Sequence, residues 1–192
     1  DGLDIFQDVV AYVVLLITLL LFHAAFTYSF FLKVIGGLNP ITFFKKMKDV
    51  VLFAFSTSSS AATIPVTLKT ANQDLGVNQN VASFVVPVGA TINMDGTAIM
   101  QGLATVFIAQ MSGIDLTLFQ YMQVVLLAVA TSIGTAAVPS AGTITLIIIL
   151  QQFNLPLEAI GIILAVDRVL DMIRTSVNVT GDAAIACIVA KT

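Results

Sequence analysis

The chain has 192 residues, 58% of them apolar and only 10% charged, with a mean hydropathy of +1.01. A soluble domain carries roughly a quarter of its residues charged, so the composition excludes one, and it excludes disorder as well. The net charge of −3 lacks the basic stripe that nucleic-acid binding needs, and the single cysteine, Cys187, excludes a disulfide scaffold or a cysteine-based zinc site. A polytopic membrane protein remains.

Residues 9–32 contain no charged residue. At about 1.5 Å per residue, a helix of that length crosses a ~30 Å hydrocarbon core with tilt to spare. Acidic Asp1, Asp4 and Asp8 stand before it instead of a basic region, which is not the pattern of a signal peptide. Tyr28, Phe30 and Phe31 with Lys33 form an interfacial anchor at its far end. Gly36, Gly37, Asn39 and Pro40 then lead to Lys45, Lys46 and Lys48, the densest basic cluster, which the positive-inside rule places on the cytoplasmic side. The first helix therefore runs from outside to inside. His23, alone in this apolar segment, reads as a packed or interfacial residue rather than a proton relay, and Cys187 as inert packing.

Beyond Lys48 the apolar stretches are interrupted at about half the length needed to span. Residues 50–55 break at Ser56-Thr57-Ser58-Ser59-Ser60, residues 82–92 at Asn93-Met94-Asp95-Gly96-Thr97, and residues 118–130 at a small-residue run from Ser132 to Ser140. Polar breaks at membrane depth are tolerated only where backbone is buried in protein or lines a cavity, and paired interruptions point to a transporter substrate site. The order repeats: a Ser/Thr-rich tip followed by proline (Pro65, then Pro139) precedes a helix with polar residues. Two copies of hairpin plus helix make an internal repeat; the competing explanation is the general abundance of small residues in membrane helices.

The last segment carries the sharpest signal. Asp167, Asp171, Arg174, Thr175, Asn178 and Asp182 fall within one arc about 100° wide on a helix. Val169, Leu170, Met172, Ile173, Val177 and Val179 give the remaining faces an apolar surface, with Arg168 at the arc's edge. Ionisable groups inside a membrane are costly and face a cavity or the protein interior. A self-contained ion-pair network is the plain reading, since Arg174 reaches Asp171 or Asp167. Three carboxylates against one inward arginine leave excess negative charge, which bound cations would balance.

Ser59-Ser60, Asn93-Met94-Asp95-Gly96-Thr97, the tip from Ser132 to Gly142, and the run from Asp171-Met172-Ile173-Arg174-Thr175 through Asn178 to Gly181-Asp182 together resemble the dicarboxylate/amino acid:cation symporters. These are the glutamate and aspartate transporters of bacteria and archaea and their animal relatives. The resemblance runs over the whole chain but covers only the family's C-terminal half. It implies an all-α polytopic membrane protein: an elevator-type transport domain with two re-entrant helical hairpins and broken transmembrane helices in an inverted repeat. The implied order is a transmembrane helix at 5–34, hairpin 1 at 40–75, a broken transmembrane helix at 79–110, hairpin 2 at 117–153 and an amphipathic transmembrane helix at 156–190. Earlier helices, which in the family form a trimeric scaffold and supply part of the cation sites, are implied to lie outside this chain. The implied setting is a multi-pass homotrimer in the lipid bilayer of the plasma membrane.

The resemblance also implies roles. Asp171 holds the amino group of an acidic amino acid, aspartate or glutamate, and Arg174 its side-chain carboxylate, which suits a planar bidentate guanidinium. Thr97 and the Gly142 backbone assist there; Asn178, Ser59 and Ser60 take the α-carboxylate; Thr175 and the Val138 carbonyl lie near the amino group. Sodium ions are implied at three sites. One uses the carbonyls of Gly89, Asn93 and Asn178 with the Asp182 carboxylate. A second uses the carbonyls of Thr91, Ser132, Ile133 and Thr135 and closes with hairpin 2, the gate. A third uses Asn93 and Asp95 with ligands from outside the chain. Oxygen-only ligation fits a hard cation.

The chain departs from its relatives in places. Archaeal members carry arginine where Ser58 stands, and animal glutamate carriers carry one where Met172 stands. Having neither weighs against potassium counter-transport. Proton-coupled bacterial members tend to have asparagine where Asp182 stands and to lack the Asn-Met-Asp-Gly-Thr form, so both features favour sodium. Ala61 replaces a common serine. A proton-coupled, C4-dicarboxylate or neutral amino acid carrier of the same family is the alternative. An anion channel and an intramembrane aspartyl protease are remoter, the latter because Val179 occupies the first glycine position of the Gly-x-Gly-Asp setting that chemistry needs. No enzyme motif is visible elsewhere.

Overall fold

A computed structural model describes residues 2–191, with side chains from Ile5 to Lys191. Asp1 and the side chain of Asp4, two of the acidic groups ahead of the first apolar segment, lie outside the described residues. Every regular element among the described residues is helical. Helix α1 (Gly2–Phe22) continues through a π-helical segment (His23–Tyr28) into α2 (Ser29–Val34), and over Ile5–Val34 this rod is long and apolar enough to cross a membrane. Tyr12, Leu16 and Leu20 are buried at four-residue spacing, whereas Val14, Leu15, Leu21 and Phe22 are exposed. One stripe therefore packs on protein and the rest suits hydrocarbon. The π segment changes what the rod presents. His23 and Tyr28 are five residues apart, about 140° around an α-helix, but an i→i+5 turn brings them to one side. Their rings stand edge to face with centroids 4.9 Å apart.

Helix α3 (Pro40–Lys46) begins at Asn39, whose side chain accepts from the Ile41 and Thr42 amides, with Pro40 at a position that needs no N–H. Helices α4 (Lys48–Thr57) and α5 (Ser60–Gln73) form a helix–turn–helix pair. Ser58 ends α4 in the left-handed conformation, φ 50°, and Ser59 caps α5 by accepting from the Ala62 amide. Only Asn93 and Met94 separate α6 (Gln79–Ile92) from α7 (Asp95–Met111). A Thr117/Gln120 capping box opens α8 (Leu118–Ile133), which pairs with α9 (Ala141–Gln152) around residues 134–140. The final helix, α10 (Ile160–Val189), runs unbroken for 30 residues through all its polar side chains.

The breaks are narrower than the polar motifs that mark them. Ser56 and Thr57 stay helical because their hydroxyls donate to the Leu52 and Phe53 carbonyls one turn back, and Ser132 stays in α8 with its hydroxyl on the Val129 carbonyl. Outer faces are apolar: Leu118, Phe119, Met122, Val125 and Leu126 of α8 are exposed, while its buried positions are Val124, Ala128 and Ser132. In water such a surface would aggregate; in hydrocarbon it is the expected one.

Two cores flank α10. Ile160, Ile163, Leu170 and Val177 pack in one with residues of α1, α7, α8 and α9, and Val179, Ala183, Ala184, Ala186 and Cys187 pack in the other with residues of α2 to α6. Every residue of α10 from Arg174 through Ala184 is buried, so the apolar outer surface drawn from the sequence is confined to the two ends of the helix, at Leu164 and Val169 and again at Ile185 and Val189. The polar residues lie where the two cores meet. Gln101 of α7, fully buried, ties this region together: Nε2 donates to the Gly142 carbonyl (3.0 Å) and to Thr145 Oγ1 (2.8 Å) of α9, and Oε1 accepts from Thr131 of α8 (2.8 Å). Replacing it by leucine removes three buried hydrogen bonds that join α7, α8 and α9. Gln101→Leu is expected to destabilise the fold by about 1–3 kcal/mol, read as a lowered thermal midpoint of the detergent-solubilised protein; an unchanged midpoint would contradict this role.

Candidate functional site

Three helix breaks converge on the middle of α10. Around Arg174 they enclose a cavity lined by Asp171, Arg174, Thr175 and Asn178 of α10, by Ser58 and Ser60, by Met94 and Thr97, and by residues 135–138 with Gly142. Ser60 opens α5, Thr97 lies in the first turn of α7 and Gly142 in that of α9. The positive ends of three helices, with backbone N–H groups that have no partner within their own helix, therefore surround one small volume. The opposite ends matter too. Helices α6 and α8 finish at Ile92 and Ile133 beside the same breaks, leaving the carbonyls of their last turns without helical partners.

Arg174 is 2% exposed and sits between two carboxylates of its own helix. Its Nη2 donates to Asp171 Oδ1 at 2.5 Å and its Nη1 to Asp167 Oδ1 at 3.3 Å. Asp171 spends its other oxygen on the Ser140 amide at 2.9 Å, which ties the tip between α8 and α9 to α10. One turn further along, Asn178 is oriented by both ends of its amide: Oδ1 accepts from the Gly96 N–H (2.8 Å) and Nδ2 donates to Thr97 Oγ1 (3.3 Å). Asp182, 1% exposed, accepts from Asn93 Nδ2 at 2.9 Å and has no basic partner among the described residues. Gly89 permits this approach, since a Cβ there would lie 2.6 Å from Asp182 Oδ1. A carboxylate buried this deeply is costly unless a counter-charge or hydrogen bonds offset it.

Of the residues named from sequence as substrate contacts, Ser60, Thr97, Val138, Gly142, Asp171, Arg174, Thr175 and Asn178 line the cavity. Ser59 does not: its hydroxyl caps α5 and donates to the Ala137 carbonyl (2.9 Å), which also accepts from the Ala61 amide (3.2 Å), so it joins the two tips. Among the residues named for cations, Gly89, Asn93, Asn178 and Asp182 come together, with Asn93 Nδ2 also 3.4 Å from the Asn178 carbonyl. Thr91 is exposed at the end of α6 with its hydroxyl on the Val88 carbonyl, and Ile133 is exposed; the helices bearing them, α6 and α8, are in contact. Ser132 and Thr135 are buried beside the same tip. Asp95 and Asn93 do not share a partner: Asp95 Oδ2 faces His23 Nε2 (3.1 Å) and Tyr28 Oη (3.2 Å). Among the described residues no three His, Cys, Asp or Glu side chains gather as a metal-holding group.

His23 is thus a hydrogen-bond partner of Asp95, not a merely packed ring, and the single Tyr28 O–H lies within reach of both Asp95 Oδ2 and the Val177 carbonyl, 3.2 Å from each. The sequence hides this because their five-residue spacing shares no α-helical face; only the π segment aligns them. Gln101 and Thr143 were also missed, and their one signal is a polar side chain in an otherwise apolar helix. Asp171 and Asp182 do not form the facing carboxylate pair that the protease alternative needs. They stand about 16 Å apart along one helix and serve different partners.

The cavity leaves about 20 Å³ open to a water-sized sphere, room for about one water and no amino acid.

The whole chain, residues 1–192, matches the profile of the Sodium:dicarboxylate symporter family. It is 41% identical over 183 residues to an excitatory amino acid transporter of Caenorhabditis elegans, covering 95% of this chain and 36% of that protein. It is 42% identical over 180 residues to excitatory amino acid transporter 3 of Mus musculus (94% and 34%), and 44% identical over 172 residues to excitatory amino acid transporter 2 of Homo sapiens (90% and 30%). The chain therefore spans about a third of the length of the curated relatives it matches. The relatives are named as transporters, not enzymes. With the family profile matched from end to end, and an arginine, paired carboxylates and three helix breaks gathered in one buried site, the chain belongs to the sodium:dicarboxylate symporter family.

Proposed function

We propose that this chain forms the substrate- and ion-binding part of a secondary active symporter that imports an acidic amino acid, aspartate or glutamate, with sodium by alternating access. The observation that carries the reading is the Arg174 guanidinium, buried at a cavity ringed by three helix N-termini. Such a site attracts carboxylates, and a substrate with two of them satisfies both the arginine and the helix ends. Asp171, beside the arginine, gives the amino group its anion. In this reading Ser60 and Asn178 take the α-carboxylate, Thr97 and the Gly142 backbone assist Arg174, and Thr175 and the Val138 carbonyl lie near the amine.

Sodium enters the reading from the opposite helix ends. Gly89, Asn93 and Asn178 carbonyls with Asp182 form one proposed site, supported by the uncompensated Asp182 carboxylate. The carbonyls of Thr91, Ser132, Ile133 and Thr135 form a second, which exists only while α8 and its tip stay against α6. Asn93 and Asp95 contribute to a third. Binding sodium where it completes the closed tip couples ion to substrate as a linkage free energy.

The pairs α4–α5 and α8–α9 are read as re-entrant hairpins, and the second as the gate, supported by the contact of its tip with Asp171 and by the small cavity. Hairpin 1 plus α6–α7, and hairpin 2 plus α10, are the halves of an inverted repeat that moves as an elevator against a scaffold in a plasma-membrane homotrimer.

In the full-length protein, aspartate affinity measured by calorimetry is expected to fall at least about tenfold when sodium is replaced by choline; sodium-independent binding, or chloride conduction without stoichiometric uptake, would exclude the symporter. Arg174→Cys is expected to weaken aspartate binding by about a hundredfold or more, the cost of losing a buried charge partner. Unchanged sodium-dependent aspartate affinity in that variant would remove Arg174 from the site.

A further inference from the structure

Asp167 stands outside the cavity yet holds the residue that defines it. The cavity lining includes Asp171 and Arg174 but not Asp167. Asp167 is 2% exposed and lies behind the guanidinium, its Oδ1 accepting from Arg174 Nη1 at 3.3 Å and from Thr143 Oγ1 at 2.7 Å. Thr143, fully buried, is in α9, next to cavity-lining Gly142. A Cβ at Gly142 would stand 3.6 Å from Arg174 Cζ, so α9 passes directly over the guanidinium. The other oxygen, Asp167 Oδ2, is buried without a hydrogen-bond partner. A carboxylate placed only to be solvated would be expected to use both oxygens; this one spends its bonded oxygen on aiming an arginine.

The two carboxylates on Arg174 are not equivalent. Asp171 reaches the cavity and bonds the tip between α8 and α9 through Ser140, so it is the one a substrate amine takes. Once Asp171 turns to an amine and Arg174 to a carboxylate, Asp167 is the remaining protein anion on the guanidinium. We propose that Asp167, fixed by the Thr143 hydroxyl, is a positioning residue that aims Arg174 into the cavity and thereby sets the preference for an acidic over a neutral amino acid. This rests on the function proposed above. Because Thr143 belongs to the second hairpin, the aim of the arginine depends on that hairpin being docked, so acid selectivity is assembled only in the closed state.

The test compares aspartate with asparagine, which differs only in the side-chain carboxylate, for binding to the full-length protein in saturating sodium. Asp167→Ala is expected to lower aspartate affinity about tenfold, one charge-assisted hydrogen bond, while asparagine affinity stays within about twofold. Asp167→Asn keeps an oxygen that accepts from both Arg174 and Thr143 and is expected to retain most of the discrimination. Thr143→Val, of similar volume, is expected to lose part of it and covers the case in which Asp167→Ala does not fold. General structural damage would weaken both ligands together, and that outcome would overturn the proposal; so would an Asp167→Asn variant as unselective as Asp167→Ala, or unchanged discrimination in both Asp167→Ala and Thr143→Val. Failure of the wild-type protein to bind aspartate would instead refute the symporter reading itself.

Discussion

A guanidinium moved from water to a medium of low dielectric costs several kcal/mol even after its surroundings relax, and Arg174 is almost completely buried within an apolar bundle. The architecture around it answers that cost. Its first partners are local, Asp171 and Asp167, one and two turns back on the same helix. Those carboxylates bring their own demand for donors, which α10 cannot meet because its backbone N–H groups are used in the helix. The donors come from α9 and its tip: the Thr143 hydroxyl to Asp167 and the Ser140 amide to Asp171. One buried charge therefore recruits two more, and those draw the second helix pair onto α10.

The broken helices follow from the same need. A continuous helix crossing a membrane offers the interior no free donors or acceptors, because every backbone group is paired within the segment. Interrupting it supplies N–H groups from one half and carbonyls from the other, backbone groups of the kinds that attract anions and cations. The sites are packed tightly enough that side-chain size decides whether they form. At Gly181 a Cβ would lie 2.5 Å from Asn93 Nδ2 and 2.6 Å from Tyr28 Oη. Only a glycine lets the π segment of the first rod and the break between α6 and α7 meet α10 at one level.

Groups that would hold a ligand here hold one another. Asp171 is bonded to Arg174 and to the Ser140 amide, and the Ala137 carbonyl accepts from both Ser59 and Ala61. In the proposed transport cycle, opening the site would break contacts that a ligand can replace with equivalent ones. Such an exchange keeps two states close in free energy, the condition for a ligand to shift the balance between them.

The composition and the charge-free first segment determined by themselves that this chain belongs in a bilayer, because 10% charged residues cannot coat a water-facing surface. The polar arc from Asp167 to Asp182 was equally legible, since helical periodicity alone puts those residues on one side. Tertiary structure decided which of them meet. Asp167 and Asp171 share a partner in the sequence reading, yet one lines the cavity and the other stands behind Arg174, a distinction set by the course of α9. Ser59, which the resemblance names as a substrate contact, caps α5 and links the two tips, where the left-handed Ser58 precedes it. His23 looked isolated and is paired with Asp95, because a π turn rotates the helix away from the 3.6-residue period on which sequence reading relies. Periodicity reports which face a side chain occupies on an ideal helix; where helices end, widen or cross, the partner on that face is fixed by contacts distant in sequence.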